Sequence, residues 1–416
     1  MVVSFFKKLW SVVSAVILLA LLVCAAEVGI RVHRVYRACP SHPKPAVEET
    51  LAEQICRPSR TTFLEPIPGQ RLMRVHPDTG RDIEVRLNDF GLRAPVVAIP
   101  RPKELFRILV LGDETVLGAD VLAEDVLTAR LQKELQNLSP QPIEVINAGI
   151  PEGCPLQAAL WIRHSLLGLQ PDLVIHHFDM SDVADDYSIR RFVSMSKELS
   201  PRCAIHPSLK EARNDVARSL RQEFALLQAT ETQMAEIWAR RSSPRTRADL
   251  GDPLNRYRWL EDNPPDWSSP IRLAIGSLGD VRRSLPAEIP YLVATCPKAW
   301  QISESACPSV RVRIAEGVKP RAVYTSPRPF ETLSAFCKKE GLPLIRCDDL
   351  FLNQQDPDSL YLKNSPGLSE AGHTLYAAAI ASYLQRHIPG PWTGQAPRGP
   401  SRPDVIGAGY AEPADR

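Results

Sequence analysis

The chain has 416 residues, 44% of them hydrophobic, which is enough for one large globular domain with additional segments. Its 50 Lys and Arg residues nearly balance 48 Asp and Glu residues, so the formal net charge at pH 7 is only +2. This balance, with no basic stripe carrying interleaved aromatic residues, argues against a nucleic acid as partner. The 38 prolines lie mostly in flanks and loops and predict long irregular connections.

The N-terminus predicts a membrane helix. Two lysines precede an apolar run over residues 9–26, and basic residues resume after it. Because about 20 apolar residues span a bilayer core, we predict a cytoplasmic stub and transmembrane anchor over residues 1–37, with residues 9–30 in the lipid bilayer. A cleaved signal peptide is the alternative, since Cys24 lies in an acceptable cleavage context. Basic residues on both sides leave the orientation open.

Eight cysteines follow the predicted anchor. An even number in an exported chain indicates disulfides, and Cys296 and Cys307, which bracket one loop, are the first candidate pair. Buried free thiols are the alternative. None of the cysteines has the spacing of zinc ligands, so we predict neither a metal site nor a cofactor.

Strands and helices alternate after a Pro-rich stalk predicted over residues 38–104. That stalk carries short strands such as residues 82–87. The stretch at 106–111 is continuously apolar, as expected of a strand buried on both faces. Helical and strand patterns then alternate, over residues 123–138, 143–146, 157–167 and 172–176. This alternation predicts an α/β domain with a doubly wound parallel sheet over residues 105–388.

A helical insertion interrupts this domain over about residues 188–285. Its main feature is a helical pattern over residues 209–241, whose apolar stripe predicts a cap packed on the body. The sheet pattern then resumes, with predicted elements over residues 289–294, 330–340, 342–346 and 373–387. The tail, residues 389–416, is rich in Pro and Gly and is predicted to be disordered.

Four stretches at the predicted strand ends carry the chemistry, since ligands of parallel α/β sheets bind beyond the carboxyl ends of the strands. They are ILVLGDETVLGADV at 108–121, Asn-Ala-Gly at 147–149, DLVIHHFDMSDV at 172–183 and GLSEAGH at 367–373. An NDFGLR stretch at 88–93 precedes them. In order and spacing these stretches resemble the sequence blocks of SGNH (GDSL-type) hydrolases of the membrane-anchored bacterial type.

The resemblance implies a three-layer, flavodoxin-like fold with a degenerate catalytic triad. Glu114 stands where the serine nucleophile belongs, Asn364 or Ser365 replaces the aspartate, and Gly367 replaces the histidine. Gly149 matches the glycine whose amide helps to form the oxyanion hole. The oxyanion hole and ligand pocket implied by the resemblance comprise Asp113, Glu114, Gly149, Ser181, Asp182 and His373.

These replacements predict loss of ester hydrolysis by the usual mechanism. A carboxylate such as Glu114 that attacks an ester gives an anhydride, which is energetically uphill, and no imidazole remains at the position of the base. Thr115 has no predicted base. The acidic residues at the strand ends, which include Asp179, instead favour either solvated loop acids or a divalent-cation or acid–base site.

His176 and His177 are adjacent on a predicted strand and therefore point to opposite faces. We interpret them as packed core histidines rather than as ligands of one metal.

Two functions follow as hypotheses. The first is a pseudoenzyme, anchored in a bacterial inner membrane with its domain in the periplasm, that binds acylated envelope polysaccharide or a protein partner. The second is an active esterase or O-acetyltransferase on such polysaccharide, with atypical chemistry through Glu114.

Overall fold

The computed structural model describes residues 2–38, 49–197, 200–209, 255–264, 266–393 and 406–407. The chain divides into two compact units. The first comprises residues 1–48 and 210–248, and the second comprises residues 49–209 and 249–416. The predicted cap helix over residues 209–241 lies, apart from its first residue, outside the described residues.

The first unit contains one described helix, α1 (Val2–Ala38). Its segment Val13–Arg31 has a mean hydropathy of 2.6 and is long and apolar enough to cross a membrane. The side chains of residues 13–26 are exposed rather than packed in a core. The segment is therefore a candidate membrane span, and a signal sequence has the same length and composition.

The second unit begins with short elements that pack onto its main body. Helix α2 (Leu51–Ile55) precedes two antiparallel hairpins, and the predicted strand over residues 82–87 is confirmed. The hairpins are β1 (Cys56–Pro58) with β2 (Leu64–Pro66), and β3 (Arg71–Val75) with β4 (Asp82–Arg86). Ile83 and Val85 are fully buried in the same core as the central strands. This part of the predicted stalk thus belongs to the globular body.

A parallel sheet forms the centre of the second unit. Its six strands are β5 (Phe106–Gly112), β6 (Ile143–Gly149), β7 (Leu173–His177), β10 (Tyr291–Thr295), β11 (Leu344–Arg346) and the two-residue β12 (Ile406–Gly407). Between β7 and β10 in the chain, β8 (Val193–Met195) and β9 (Pro201–Ala204) form a separate small hairpin. The order across the sheet is β6-β5-β7-β10-β11-β12, with every pairing parallel. This is the flavodoxin-like doubly wound order that the sequence predicts.

Helices cover both faces of this sheet. They are α3 (Glu114–Leu117), α4 (Leu127–Gln136), α5 (Pro155–His164), α6 (Asp182–Arg190), α7 (Ser268–Ser284), α8 (Ala299–Ile302), α9 (Val310–Ala315), α10 (Arg328–Glu340), α11 (Asp348–Leu352) and α12 (Glu370–His387). Helix α4 packs against α12, while α7 packs against α5, α6 and α10. The result is the predicted three-layer arrangement.

Three predicted boundaries or pairings need correction. Helix α7 lies inside the predicted insertion, residues 188–285, but it packs in the body because one of its faces is apolar and buried. Trp392, inside the predicted disordered tail, is buried and stacks edge-on against Phe106. Cys296 and Cys307 are buried free thiols and not a disulfide.

Candidate functional site

A tight turn joins β5 to α3 at the carboxyl edge of the sheet. Asp113 caps the helix, since its Oδ1 accepts a hydrogen bond of 2.9 Å from the Thr115 amide. The helix stops after one turn at Gly118, whose φ of +63° suits glycine. Strands β5 and β7 are neighbours although they are not consecutive, so this turn lies at the switch point where doubly wound sheets bind ligands.

The NDFGLR stretch holds this turn in place. Asn88 Oδ1 accepts hydrogen bonds from the amides of Phe90 and Leu92, which shapes a tight loop. The buried Arg93 guanidinium then donates to backbone carbonyls of the turn and the segment after it, at Leu117, Gly118 and Val121. Arg93 thus supplies buried donors to three carbonyls of this turn and ties the turn to the NDFGLR stretch.

Four charged or titratable side chains meet in a buried network beneath the turn. Lys298 Nζ lies 2.6 Å from Asp179 Oδ2 and 3.6 Å from Asp113 Oδ2. His177 Nε2 lies 3.5 Å from Asp179 Oδ2 and 3.9 Å from Asp113 Oδ1. Thr115 Oγ1 donates to Asp179 Oδ2 at 3.3 Å. Both carboxylates and the imidazole are at most 2% exposed.

The network separates the charge states of its two carboxyl groups. Burial, reinforced by the negative charge of Asp179, raises the pKa of Asp113 to about 7. Burial alone would also raise the pKa of Asp179, but the Lys298 ammonium and hydrogen bonds hold it well below its usual range. Asp179 and Lys298 therefore form a buried ion pair, and Asp113 is the group beside it that readily takes up a proton.

Three residues of this network have the spacing of metal ligands. Asp113, His177 and Asp179 offer ligand atoms within 4.8 Å of one another, which suits a divalent cation. The Lys298 ammonium, however, already contacts both carboxylates. It supplies the positive charge that a metal would bring, and an ion bound there would meet direct repulsion from it.

The Glu114 carboxylate is hydrogen-bonded to another loop. Its Oε1 accepts a hydrogen bond of 2.8 Å from the amide of Glu152, which follows β6. Glu152 has a φ of +56°, a conformation uncommon for residues other than glycine. Burial raises the pKa of Glu114 to about 7, although the nearby Arg256 opposes this rise.

Arg256 is the main cation beside Glu114. Its guanidinium donates two hydrogen bonds, of 2.9 and 2.7 Å, to the carboxylate of Asp185. It also lies 3.4 Å from Glu316. Carboxylates from three separate segments thus surround one arginine at this edge of the sheet.

The Gly149 amide, which the resemblance assigns to the oxyanion hole, has a hydrogen-bond partner within the chain. It donates to the Asn147 side chain at 3.0 Å and is therefore already committed. A Cβ at this position would lie 2.2 Å from the Leu117 amide nitrogen. Gly149 is thus required for close packing of β6 against α3, and the amide that meets the Glu114 carboxylate at this edge is that of Glu152.

The other residues of the predicted pocket have structural contacts. The Ser181 amide donates to Asp179 Oδ1, and the Asp179 amide donates to Asp182 Oδ2, so both residues shape the turn after β7. Burial raises the pKa of Asp182 well above its usual value. His373 is 1% exposed and accepts a hydrogen bond from the Leu127 amide, and burial lowers its pKa to about 3.

His176 and His177 point to opposite faces of β7, as predicted. His176 Nδ1 lies 3.0 Å from the Tyr291 hydroxyl, and His177 Nδ1 lies 2.8 Å from the Tyr376 hydroxyl. His176 is a packed core histidine, whereas His177 also joins the buried network described above.

The loop that resembles the end block is held by hydrogen bonds to two aspartates of other segments. Asn364 donates through both its backbone and its side chain to Asp78 Oδ1. Ser365 Oγ donates to Asp120 Oδ2 at 2.5 Å. A Cβ added at Gly367 would lie 3.6 Å from its nearest neighbour, so this position has room for a Cβ although glycine has none.

We expect Glu114→Gln to be more stable than the wild type at pH 8, with a difference that vanishes near pH 4.5. Because burial raises the pKa of Glu114 in the folded chain to about 7, above the ordinary glutamate value of about 4.3, the wild type loses stability as pH rises between these values. The loss is at most about 3 kcal/mol, and less where water reaches the half-buried carboxyl. Urea unfolding of both proteins from pH 4.5 to 8 measures it, and parallel curves would contradict the raised pKa.

Comparisons with known proteins give only weak likenesses. No protein-family model and no curated protein matches the chain. A lipase/acylhydrolase structure from Enterococcus faecalis has 12% identity and a TM-score of 0.35, over 68% of this chain and 96% of that one. A catalytic mutant of an acetylxylan esterase from Geobacillus stearothermophilus has 11% identity and a TM-score of 0.35, over 67% and 94%. Likenesses this weak say nothing about what the chain binds or catalyses.

Proposed function

We propose that the chain is an SGNH-type protein that binds its ligand at the carboxyl edge of the sheet without hydrolysing it. The observation that carries the proposal is the β5–α3 turn. The side chain at the nucleophile position is the Glu114 carboxylate, while the only hydroxyl in the helix, that of Thr115, is buried and donates to Asp179. The turn thus presents no alcohol to a ligand.

The imidazole of His177, which is the histidine in the network under this turn, faces carboxylates and a tyrosine rather than a hydroxyl nucleophile. His177 Nε2 faces the carboxylates of Asp113 and Asp179, and its Nδ1 contacts Tyr376. Acyl transfer by the SGNH route needs a hydroxyl whose proton passes to an imidazole, and triad members act as a unit. Without this hydroxyl and imidazole, we expect ester hydrolysis to be accelerated only by the positioning of a bound ester.

The proposed ligand is an acylated polysaccharide of the cell envelope, with an envelope protein as the other candidate partner. The proposed location is a bacterial inner membrane, with the apolar helix as single-pass anchor and the domain in the periplasm. The length and hydropathy of Val13–Arg31 support the anchor. The motif order along the sheet, at strand ends, supports the SGNH frame.

Hydrolysis of short-chain acyl esters by the purified full chain tests the proposal. We expect no release above the uncatalysed rate, with or without added Mg²⁺ or Mn²⁺, and no difference between the wild type and Glu114→Ala. Covalent labelling by a serine-directed fluorophosphonate is expected to be absent. Turnover that disappears in Glu114→Ala would contradict the proposal.

A second function, an esterase or O-acetyltransferase that uses Glu114, has one observation in its favour. A carboxyl group with a pKa of about 7 is suited to general acid–base catalysis near neutral pH. It would have to activate water or an acceptor hydroxyl directly, and its rate would rise as the carboxyl ionises. A turnover rate that increases through pH 7 and is lost in Glu114→Gln would favour this function.

A further inference from the structure

The hydrogen bond between Glu114 and Glu152 joins two loops that both lie at the carboxyl edge of the sheet. Glu114 begins α3 after β5, and Glu152 lies three residues beyond β6. The contact spans 38 residues of sequence and is 2.8 Å long. It is therefore a specific tertiary contact and not a local helix cap.

The backbone at Glu152 is held in a conformation that exposes its amide to this edge. Glu152 has a φ of +56°, a left-handed conformation that residues with a Cβ seldom adopt. Its neighbour Gly153 is packed so closely that a Cβ would lie 2.8 Å from the Gly112 carbonyl oxygen. The Glu152 side chain is exposed, so burial of that side chain does not explain the conformation. This backbone conformation directs the Glu152 N–H toward the Glu114 carboxylate.

Positive charge also acts at the same place. The charges of Arg256 and Lys298 favour the ionised form of Glu114, whereas its burial and the carboxylates of Glu316 and Asp185 oppose it. An oriented N–H with nearby cations is an arrangement that binds an acyl oxygen, whether of a carboxylate or of a carbonyl group.

We infer that Glu114 is an internal ligand, whose carboxylate occupies an acyl-oxygen site formed by the Glu152 amide. This inference rests on the proposed function, because it assigns a ligand class to the proposed binding edge. An external carboxylate or acyl group reaches the amide only when the Glu114 side chain swings aside. The wild-type chain therefore binds such groups more weakly than a chain that lacks this carboxylate.

Removal of the internal ligand tests the inference. The full chain in detergent is prepared as wild type, Glu114→Ala and Glu114→Gln, and its unfolding temperature is measured against acetate and acetamide, with chloride at equal ionic strength as control. We expect a saturable rise for Glu114→Ala at millimolar ligand, and at least a tenfold weaker effect for the wild type. Glu114→Gln keeps an acceptor oxygen of the same shape and is expected to behave like the wild type.

An equal response of all three proteins, or no response of Glu114→Ala, overturns the inference. If Glu114→Ala does not fold, Glu114→Ser, which also lacks the carboxylate, replaces it in the same comparison. Ester turnover is followed in the same samples. Turnover by the wild type would contradict the proposed function, whereas the acetate titration alone decides whether Glu114 is an internal ligand.

Discussion

Lys298→Met is expected to destabilise the domain by about 3–5 kcal/mol, because it leaves a buried carboxylate without its cation. Lys298 Nζ lies 2.6 Å from Asp179 Oδ2, and Asp179 is 2% exposed. Methionine keeps most of the volume of lysine, so lost packing contributes little. Urea-induced unfolding at pH 7 measures the change in the free energy of unfolding.

The control for this prediction is the double variant Lys298→Met/Asp179→Asn. Because the asparagine carries no charge, the double variant is expected to be more stable than Lys298→Met alone, and a cycle completed with Asp179→Asn alone gives the coupling between the two sites. The hydrogen bond from the Ser181 amide to Oδ1 can persist in the asparagine. A loss below about 1 kcal/mol in Lys298→Met would show that the pair is not a buried ion pair.

Gly149→Ala is expected to cost about 3 kcal/mol or more, because the added Cβ meets backbone that cannot move aside independently. The nearest atoms are the Leu117 amide nitrogen at 2.2 Å and Cα at 2.8 Å. Both belong to α3, so the collision would also displace the turn that carries Glu114. Thermal or urea unfolding compared with the wild type gives the measurement.

Gly168→Ala is the matched control, since Gly168 is exposed and an added Cβ there meets nothing within 4 Å. We expect it to change stability by less than about 1 kcal/mol. If Gly149→Ala were as harmless as Gly168→Ala, the close packing of β6 on α3 would be contradicted. The glycine at position 149 would then not be explained by steric contact with Leu117.

Much of the sheet could be predicted from the sequence because its strands are buried on both faces. Continuous apolar runs such as residues 106–111 leave little choice other than a central parallel strand. The one-turn helix after β5 was not predicted, since four residues are too few to show a helical pattern. Helix α7 was missed as a body helix, because neighbouring prolines and tryptophans obscured its apolar face.

Only some of the site residues at the strand ends could be predicted from the sequence. Asp113 and Asp179 were predicted to lie close together, and they do, but Lys298 was missed because a single lysine after a strand has no motif. Glu152 was missed for a different reason. Its role comes from a backbone φ of +56°, and a glutamate gives no sequence signal for that conformation.

The role of Gly149 could not be settled from sequence either. A glycine at a strand end serves equally well for an exposed amide and for close packing. The choice depends on the Asn147 side chain, which takes the Gly149 amide, and on the approach of Leu117. The first contact joins residues only two apart, but the Asn147 side chain is itself held by the Val116 carbonyl, and Leu117 likewise belongs to a segment about 30 residues away.

The most direct measurement is a proton NMR experiment in which the full-length chain is incubated with an acetylated envelope polysaccharide. Saturation transfer reports binding of the glycan, and the free-acetate signal reports hydrolysis in the same tube. We predict saturation transfer to the acetyl groups with no growth of the acetate signal above the protein-free control. Growth of the acetate signal in proportion to the protein concentration would contradict the central claim that this domain binds without hydrolysis.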